Sequence, residues 1–186
     1  MNPTSNKSDF EDLTTNLKDL AYSYLEKYSP SKQQLKVYLL KKYLTKIKGS
    51  KSKKEVTYII DKIISNLENN KFLNDEMYSD SKARMFLRRG YSLNKINQSL
   101  RNKGIEDKYV RQSIEKIKED QIEPDFVSAL KLCKRRRIGP LRPESNRELF
   151  YKKDMGILAR GGFSFDLSKR ILDLETSEFN KLIKLI

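Results

Sequence analysis

Residues 72–117, FLNDEMYSDSKARMFLRRGYSLNKINQSLRNKGIEDKYVRQSIEKI, restrict the fold more than any other part of the chain. Helix periodicity and punctuation divide them into three short helices, 75–89, 93–103 and 107–118. Gly90 and Gly104 stand where a helix end requires a residue tolerant of positive φ, and Ser92 stands where a side-chain oxygen caps the next helix. Leu93, Ile96 and Leu100 form one apolar stripe, and Val110, Ile114 and Ile117 form a second. Two stripes on short helices joined by tight turns predict a compact three-helix unit.

The rest of the chain reads as variations on that unit. Residues 1–11 are polar and aperiodic and are expected to be disordered. Leu17, Leu20, Ala21, Tyr24 and Tyr28 share one helical face, which should end before Ser29-Pro30. A second helix, 31–47, is read with Leu40, Leu44 and Ile47 on one side. A Lys-dense hairpin around Gly49 follows, then a helix over 55–69 with Val56, Ile59, Ile60, Ile63 and Leu67 inward. Beyond Pro124 the pattern predicts helices over 125–137 and 144–160. Another starts at Ser164 or Asp166, and a tail helix is capped by Ser177. An aromatic-Ser phrase recurs at Tyr28-Ser29, Tyr91-Ser92 and Phe163-Ser164, at offsets of 63 and 72 residues. The expected architecture is therefore all-α, an elongated array of three tandem three-helix, helix-turn-helix-like repeats, at 12–71, 72–121 and 122–175, with a tail helix over 176–186.

Charge narrows the function. Lys and Arg number 39 against 25 Asp and Glu, a formal +14, which favours a polyanionic partner such as nucleic acid or a nucleoprotein. No His and a single Cys133 argue against a metal site, a cofactor or an intramolecular disulfide, and Cys133 falls among core-type positions. No apolar run is long enough for a membrane span and no leader precedes the first helix, so a reducing, cytoplasmic compartment is expected. There is no phosphate-cradling glycine loop and no nucleophile motif. The carboxylate pairs 75–76, 106–107 and 119–120 lie at helix ends, where capping and solvation account for them, so no enzymatic activity is expected.

The cations are arranged more suggestively. Lys82, Arg88 and Arg89 on one helix of the middle unit, with Lys95, Arg101 and Lys103 on the next, would make a positive strip. Dipole stabilisation at helix C-termini, about 0.3–1 kcal/mol per cation, accounts for Arg88 and Arg89 without a partner. It does not account for Lys134, Arg135, Arg136 and Arg137, four consecutive cations that repel one another before the bend Ile138-Gly139-Pro140. Tyr24, Tyr28, Tyr78 and Phe126 sit on apolar stripes and read as core, not as base-stacking groups.

The phrase FLND-x2-Y-x3-KA-x4-RRGYS-x3-I-x3-L-x2-KGI resembles the central signature of the RecX regulatory proteins, bacterial modulators of the RecA recombinase. KRRRIGPLR and LARGGFS-x2-L-x3-IL resemble phrases of the alphaproteobacterial branch. Two departures stand out: Asn74 where many members carry Asp, and Asn69-Asn70-Lys71 in place of a glycine before Phe72. The resemblance, over about residues 17–174, implies a three-repeat helical crescent in the groove of the RecA–single-stranded DNA filament. It also implies inhibition of ATP hydrolysis, strand exchange and co-protease action by capping or destabilising the filament. On that reading Lys82, Arg88, Arg89, Lys95, Arg101 and Lys103 face the filament, Arg135, Arg136, Arg137 and Arg142 form a second cluster, and the protein is a monomer. The alternative is a direct DNA-binding helix-turn-helix protein, with helix 93–103 presenting Asn94, Asn97 and Gln98 to a major groove.

Overall fold

A computed structural model of the chain describes residues 3–47 and 52–185, with side chains described at 11–45 and 52–185. Among these residues the fold is all-α, without strands. Its α-helices are α1 (Pro3–Lys27), α2 (Lys32–Lys42), α3 (Lys53–Asn69), α4 (Asp75–Arg88), α5 (Leu93–Arg101), α6 (Asp107–Asp120), α7 (Pro124–Arg136), α8 (Glu144–Arg160), α9 (Phe165–Leu172) and α10 (Thr176–Lys184). They fall into two compact units, Met1–Tyr78 with Lys103–Ile105, and Ser79–Asn102 with Glu106–Ile186.

The first unit is built on α1, α2 and α3. The capping box of α3, in which Ser52 Oγ accepts from the Glu55 amide and the Glu55 carboxylate accepts from the Ser52 amide, sets its start. Val56, Ile59, Ile60, Ile63 and Leu67 then face Leu17, Ala21, Leu35 and Leu39 in one core. Helix α3 ends on Lys71, which takes a left-handed conformation at φ 61° while the Phe72 amide donates to Leu67 O and the Lys71 amide to Glu68 O. This Schellman closure ordinarily uses glycine. Lys71→Gly is therefore expected to stabilise the protein by about 1 kcal/mol, a rise in Tm of roughly 2–4 °C. A melting curve unchanged or lowered would show that Lys71 makes a compensating contact.

Four sequence expectations need correction in or near this unit. Residues 3–11 continue α1 instead of forming a disordered lead, because extending an existing helix costs little once Leu13, Leu17 and Ala21 have docked it. The equivalent of Ser92 and Ser164 is Ser31, which caps α2 where the helix was expected to start, and not Ser29 of the Tyr28-Ser29 phrase; its Oγ accepts from the Gln34 amide and donates to Lys103 O. That places the equivalent caps Ser31, Ser92 and Ser164 61 and 72 residues apart. The buried face of α2 is Leu35 and Leu39, continued by Tyr43 at the same four-residue spacing, while the adjacent apolar stripe leaves Leu40 half-buried and Leu44 exposed; a π-helical turn, Tyr43–Ile47, follows. Tyr28, read as core, is 58% exposed and rests on Tyr24, itself stacked on Tyr38 at 4.0 Å. The hairpin tip at Gly49 lies outside the described residues.

In the second unit, α4, α5 and α6 bury Ala83, Phe86, Ile96, Leu100, Val110, Ile114 and Ile117. A second core gathers Leu130, Cys133, Leu158, Phe163, Ile171 and Phe179 from α7 to α10. Burial, and the charge of Asp154, push the Cys133 thiol up to about 12, so it behaves as a small apolar residue. The tail helix packs back through fully buried Phe179, but its cap is Glu175, and the Thr176 hydroxyl donates to Pro140 O. Phe126, expected inside, is half-buried under the Arg170 guanidinium at 4.4 Å. The helices over 122–175, proposed as a third repeat, share one compact unit with those of the second.

A polar network joins α4 to α6. Ser113 Oγ bonds Ser79 Oγ at 2.8 Å and Asp80 Oδ1 at 2.5 Å, while Lys116 Nζ donates to Asp80 Oδ2 at 2.5 Å. Burial alone would raise the Asp80 carboxyl; hydrogen bonds from Lys116 and Ser113, with the charges of Lys116 and Arg84, outweigh it and hold the group below the usual carboxylate value. A depressed folded value stabilises above the ordinary carboxylate range, about pH 4, and that contribution is lost as pH falls through the folded value. Urea midpoints measured downward from pH 5 should therefore fall less steeply for Lys116→Met than for the natural protein. Parallel slopes would remove Asp80 from the acid transition.

Candidate functional site

Two glycines bring three segments of the second unit together. Gly90 ends α4 at φ +72°, and a β carbon there would lie 2.7 Å from Leu132 N and 2.8 Å from Ser128 O, both backbone atoms of α7. Gly162 follows α8 at φ +88°, where a β carbon would lie 2.4 Å from Ser92 Oγ and 2.8 Å from Lys95 Cβ. Neither position tolerates a side chain. The Ser92 amide donates to Gly161 O at 3.1 Å, and the Leu93 amide donates to Asp125 Oδ1 at 2.7 Å. Burial raises the Asp125 carboxyl, and the hydrogen bond from Leu93 opposes it. The start of α5 is thereby fixed against α7 and against the turn after α8.

This joint opens a cleft of about 430 Å³. Its charged lining is Lys95 of α5, Arg135 and Arg136 from the last turn of α7, and Arg160 from the last turn of α8. Tyr91, Leu132 and Ile157 supply the apolar lining, and no carboxylate takes part. Phe86 backs the Tyr91 ring, stacked at 5.5 Å. Among the described residues Arg135, Arg136 and Arg160 make no ion pair, and the Lys95 ammonium reaches Gln98 Oε1 at 3.4 Å. The C-terminal dipoles of α7 and α8 offset part of the repulsion, about 0.3–1 kcal/mol per cation. They do not explain why four cations share one concavity without a counter-charge. An anion would relieve that repulsion, and planar guanidinium groups match phosphate or carboxylate oxygens.

The structure divides the expected site residues. Lys95, Arg135 and Arg136, read from two separate clusters, line one cleft, and Arg160 joins them. Lys82, half-buried on α4, and Arg88 and Arg89, exposed at its end, are not part of its lining. Arg101 pairs with Asp107 at 3.2 Å, and Lys103 accepts the Ser31 hydroxyl on its carbonyl. Arg137 closes α7 in a left-handed conformation, φ 52°, as Lys71 closes α3. Arg142 is committed elsewhere: its Nε and Nη2 donate to buried Asp154 at 2.6 and 2.7 Å, and its guanidinium lies over Phe150 at 4.4 Å. Asp154 holds Arg142 charged through those bonds. The sequence signal for Arg160 was its place four residues before the cap Ser164, matching Arg88 four residues before Ser92.

Among the described residues no group of three His, Cys, Asp or Glu is placed to hold a metal, and no helix is long and apolar enough to cross a membrane.

No family model matches the chain. It is 32% identical over 161 residues to the regulatory protein RecX of Myxococcus xanthus, covering 86% of this chain and 85% of that one. It is 30% identical over 128 residues to the regulatory protein RecX of Streptococcus uberis, covering 67% and 47%. Among solved structures it matches a crystal structure of regulatory protein RecX with a TM-score of 0.61 at 20% identity, over 94% of this chain and 79% of that one. It also matches RecX from Lactobacillus salivarius with a TM-score of 0.58 at 17% identity, over 95% and 99%. At these identities the structural matches establish the fold.

Proposed function

Because this chain belongs to the RecX family of regulatory proteins, we propose that it acts without catalysis of its own on the RecA filament formed on single-stranded DNA. It binds the filament and inhibits recombinase ATP hydrolysis, strand exchange and co-protease action by capping or destabilising it. The observation that carries this reading is the cleft of Lys95, Arg135, Arg136 and Arg160, which holds four cations and no carboxylate. Such a site fits the phosphates or acidic surface of a nucleoprotein. Lys82, Arg88, Arg89, Arg101, Lys103 and Arg137 are proposed as peripheral contacts, and Arg142 is assigned to the fold. The protein acts as a monomer in the cytoplasm.

A direct reader of duplex DNA fits less well. A recognition helix presents its N-terminal residues to the groove. That end of α5 is held against the turn after α8 and against α7 by the Ser92–Gly161 and Leu93–Asp125 bonds, and of its three candidate base readers Asn94 and Gln98 are exposed and Asn97 is half-buried.

Fluorescence anisotropy of labelled protein separates the readings. The proposal predicts tighter binding to preformed recombinase filaments than to bare single-stranded DNA or free recombinase. The four cleft cations alone would contribute about −3 to the log–log salt slope, were each to neutralise one phosphate of a single strand. Equal binding to bare DNA and filament would transfer the function to nucleic acid alone.

A further inference from the structure

We propose that the same cleft is a site for one phosphorylated nucleoside, with the phosphates among Arg135, Arg136, Arg160 and Lys95 and the base on the floor of Tyr91, Leu132 and Ile157. The inference rests on the reading of this cleft as the anion contact, and it names what the anion is attached to. A site for bare phosphate needs donors alone. Here an aromatic ring and two aliphatic side chains lie in the same concavity as the cations. Tyr91 is half-buried and its ring stacks on buried Phe86, so the ring is held in place before a ligand arrives. A supported aromatic ring is a stacking surface that accepts any base. The volume, about 430 Å³, lies in the lower part of the roughly 300–1,000 Å³ spanned by small-ligand pockets, room for one nucleotide unit.

The donors are side chains: α7 and α8 present their C-terminal turns to the cleft, and α5, whose first turn borders it, contributes the Lys95 ammonium. The site therefore differs from glycine-loop phosphate cradles. Two sources carry this chemistry, a free nucleoside triphosphate and a nucleotide within a single strand.

Equilibrium dialysis of the full chain against ATP, a short oligothymidylate and inorganic triphosphate distinguishes them. Saturation by ATP at one per chain assigns the free nucleotide; saturation by the oligonucleotide without ATP binding assigns the strand. In either case Arg160→Glu is expected to weaken binding about tenfold, as loss of one charge-assisted contact implies, with Arg136→Glu as an independent check on fold and effect. Tyr91→Leu should weaken the nucleoside-bearing ligand about fivefold and leave inorganic triphosphate unchanged. The proposal is overturned if inorganic triphosphate binds as tightly as the nucleoside ligands and Tyr91→Leu changes nothing, or if both arginine variants, natively folded, bind as before. Either failure alongside normal filament binding defeats this inference alone, whereas loss of filament binding in the anisotropy assay defeats the proposed function.

Discussion

Reversal of two charges in the cleft, Arg135→Glu with Arg136→Glu, is expected to raise the concentration needed to inhibit the recombinase about 100-fold. Charge-assisted hydrogen bonds contribute about 1.5–3 kcal/mol each, and reversal replaces two attractions with two repulsions. Both side chains are exposed in the last turn of α7 and pair with no carboxylate among the described residues, so the core beneath them is not disturbed. Acidic residues at a helix C-terminus do oppose the dipole, by about 0.3–1 kcal/mol each. Circular dichroism and a melting curve recorded beside the inhibition assay separate that modest loss from the loss of binding. A native spectrum with an unchanged inhibition curve would remove the α7 arginines from the interface. Reversal at Arg101, already paired with Asp107, should have a much smaller effect on inhibition.

Asp154→Ala should have the largest effect on stability. Asp154 is 1% exposed and accepts three hydrogen bonds, from the Gly139 amide at 2.9 Å and from Arg142 Nε and Nη2. Its removal strands a guanidinium and a buried backbone donor together. Breaking a buried pair from one side costs about 3–5 kcal/mol. At this chain length that is a fall in Tm of roughly 6–20 °C. Asp154→Asn, which keeps an acceptor, should lose less, and adding Arg142→Met to Asp154→Ala should recover part of the loss by removing the stranded charge. A loss below about 1 kcal/mol for Asp154→Ala would mean that water satisfies both donors. The same measurements test the assignment of Arg142 to the fold.

What could be read from the chain, and what could not, follows from how local each signal is. Gly90, Ser92 and Gly104 act through backbone conformation and a cap within three residues, so the boundaries of α4, α5 and α6 were visible in the letters alone. Cys133 was legible as core because its neighbours on α7 repeat with helical spacing. The face of α2 was misread because Leu35 and Leu39 and the neighbouring Leu40 and Leu44 are adjacent stripes with the same four-residue spacing, and only tertiary packing selects between them. The Schellman closures at Lys71 and Arg137 were hidden because the residue there is not glycine. Arg142 looked like a member of the basic run because Asp154, twelve residues on, belongs to another helix, and helical spacing links neighbours three or four apart. The cleft was the least legible feature. Lys95, Arg135 and Arg160 meet only because a backbone bond from Ser92 to Gly161 and the missing side chains of Gly90 and Gly162 let three segments touch. Family resemblance identified the class of protein and left that convergence unstated.

Single-stranded-DNA-dependent ATP hydrolysis of the cognate recombinase, with the protein added in substoichiometric amounts, separates a filament regulator from a general DNA-coating protein. A filament regulator is expected to inhibit strongly well below one copy per recombinase subunit. Inhibition that appears only when the protein is abundant enough to cover the DNA, or no inhibition at all, would rule out regulation of the filament.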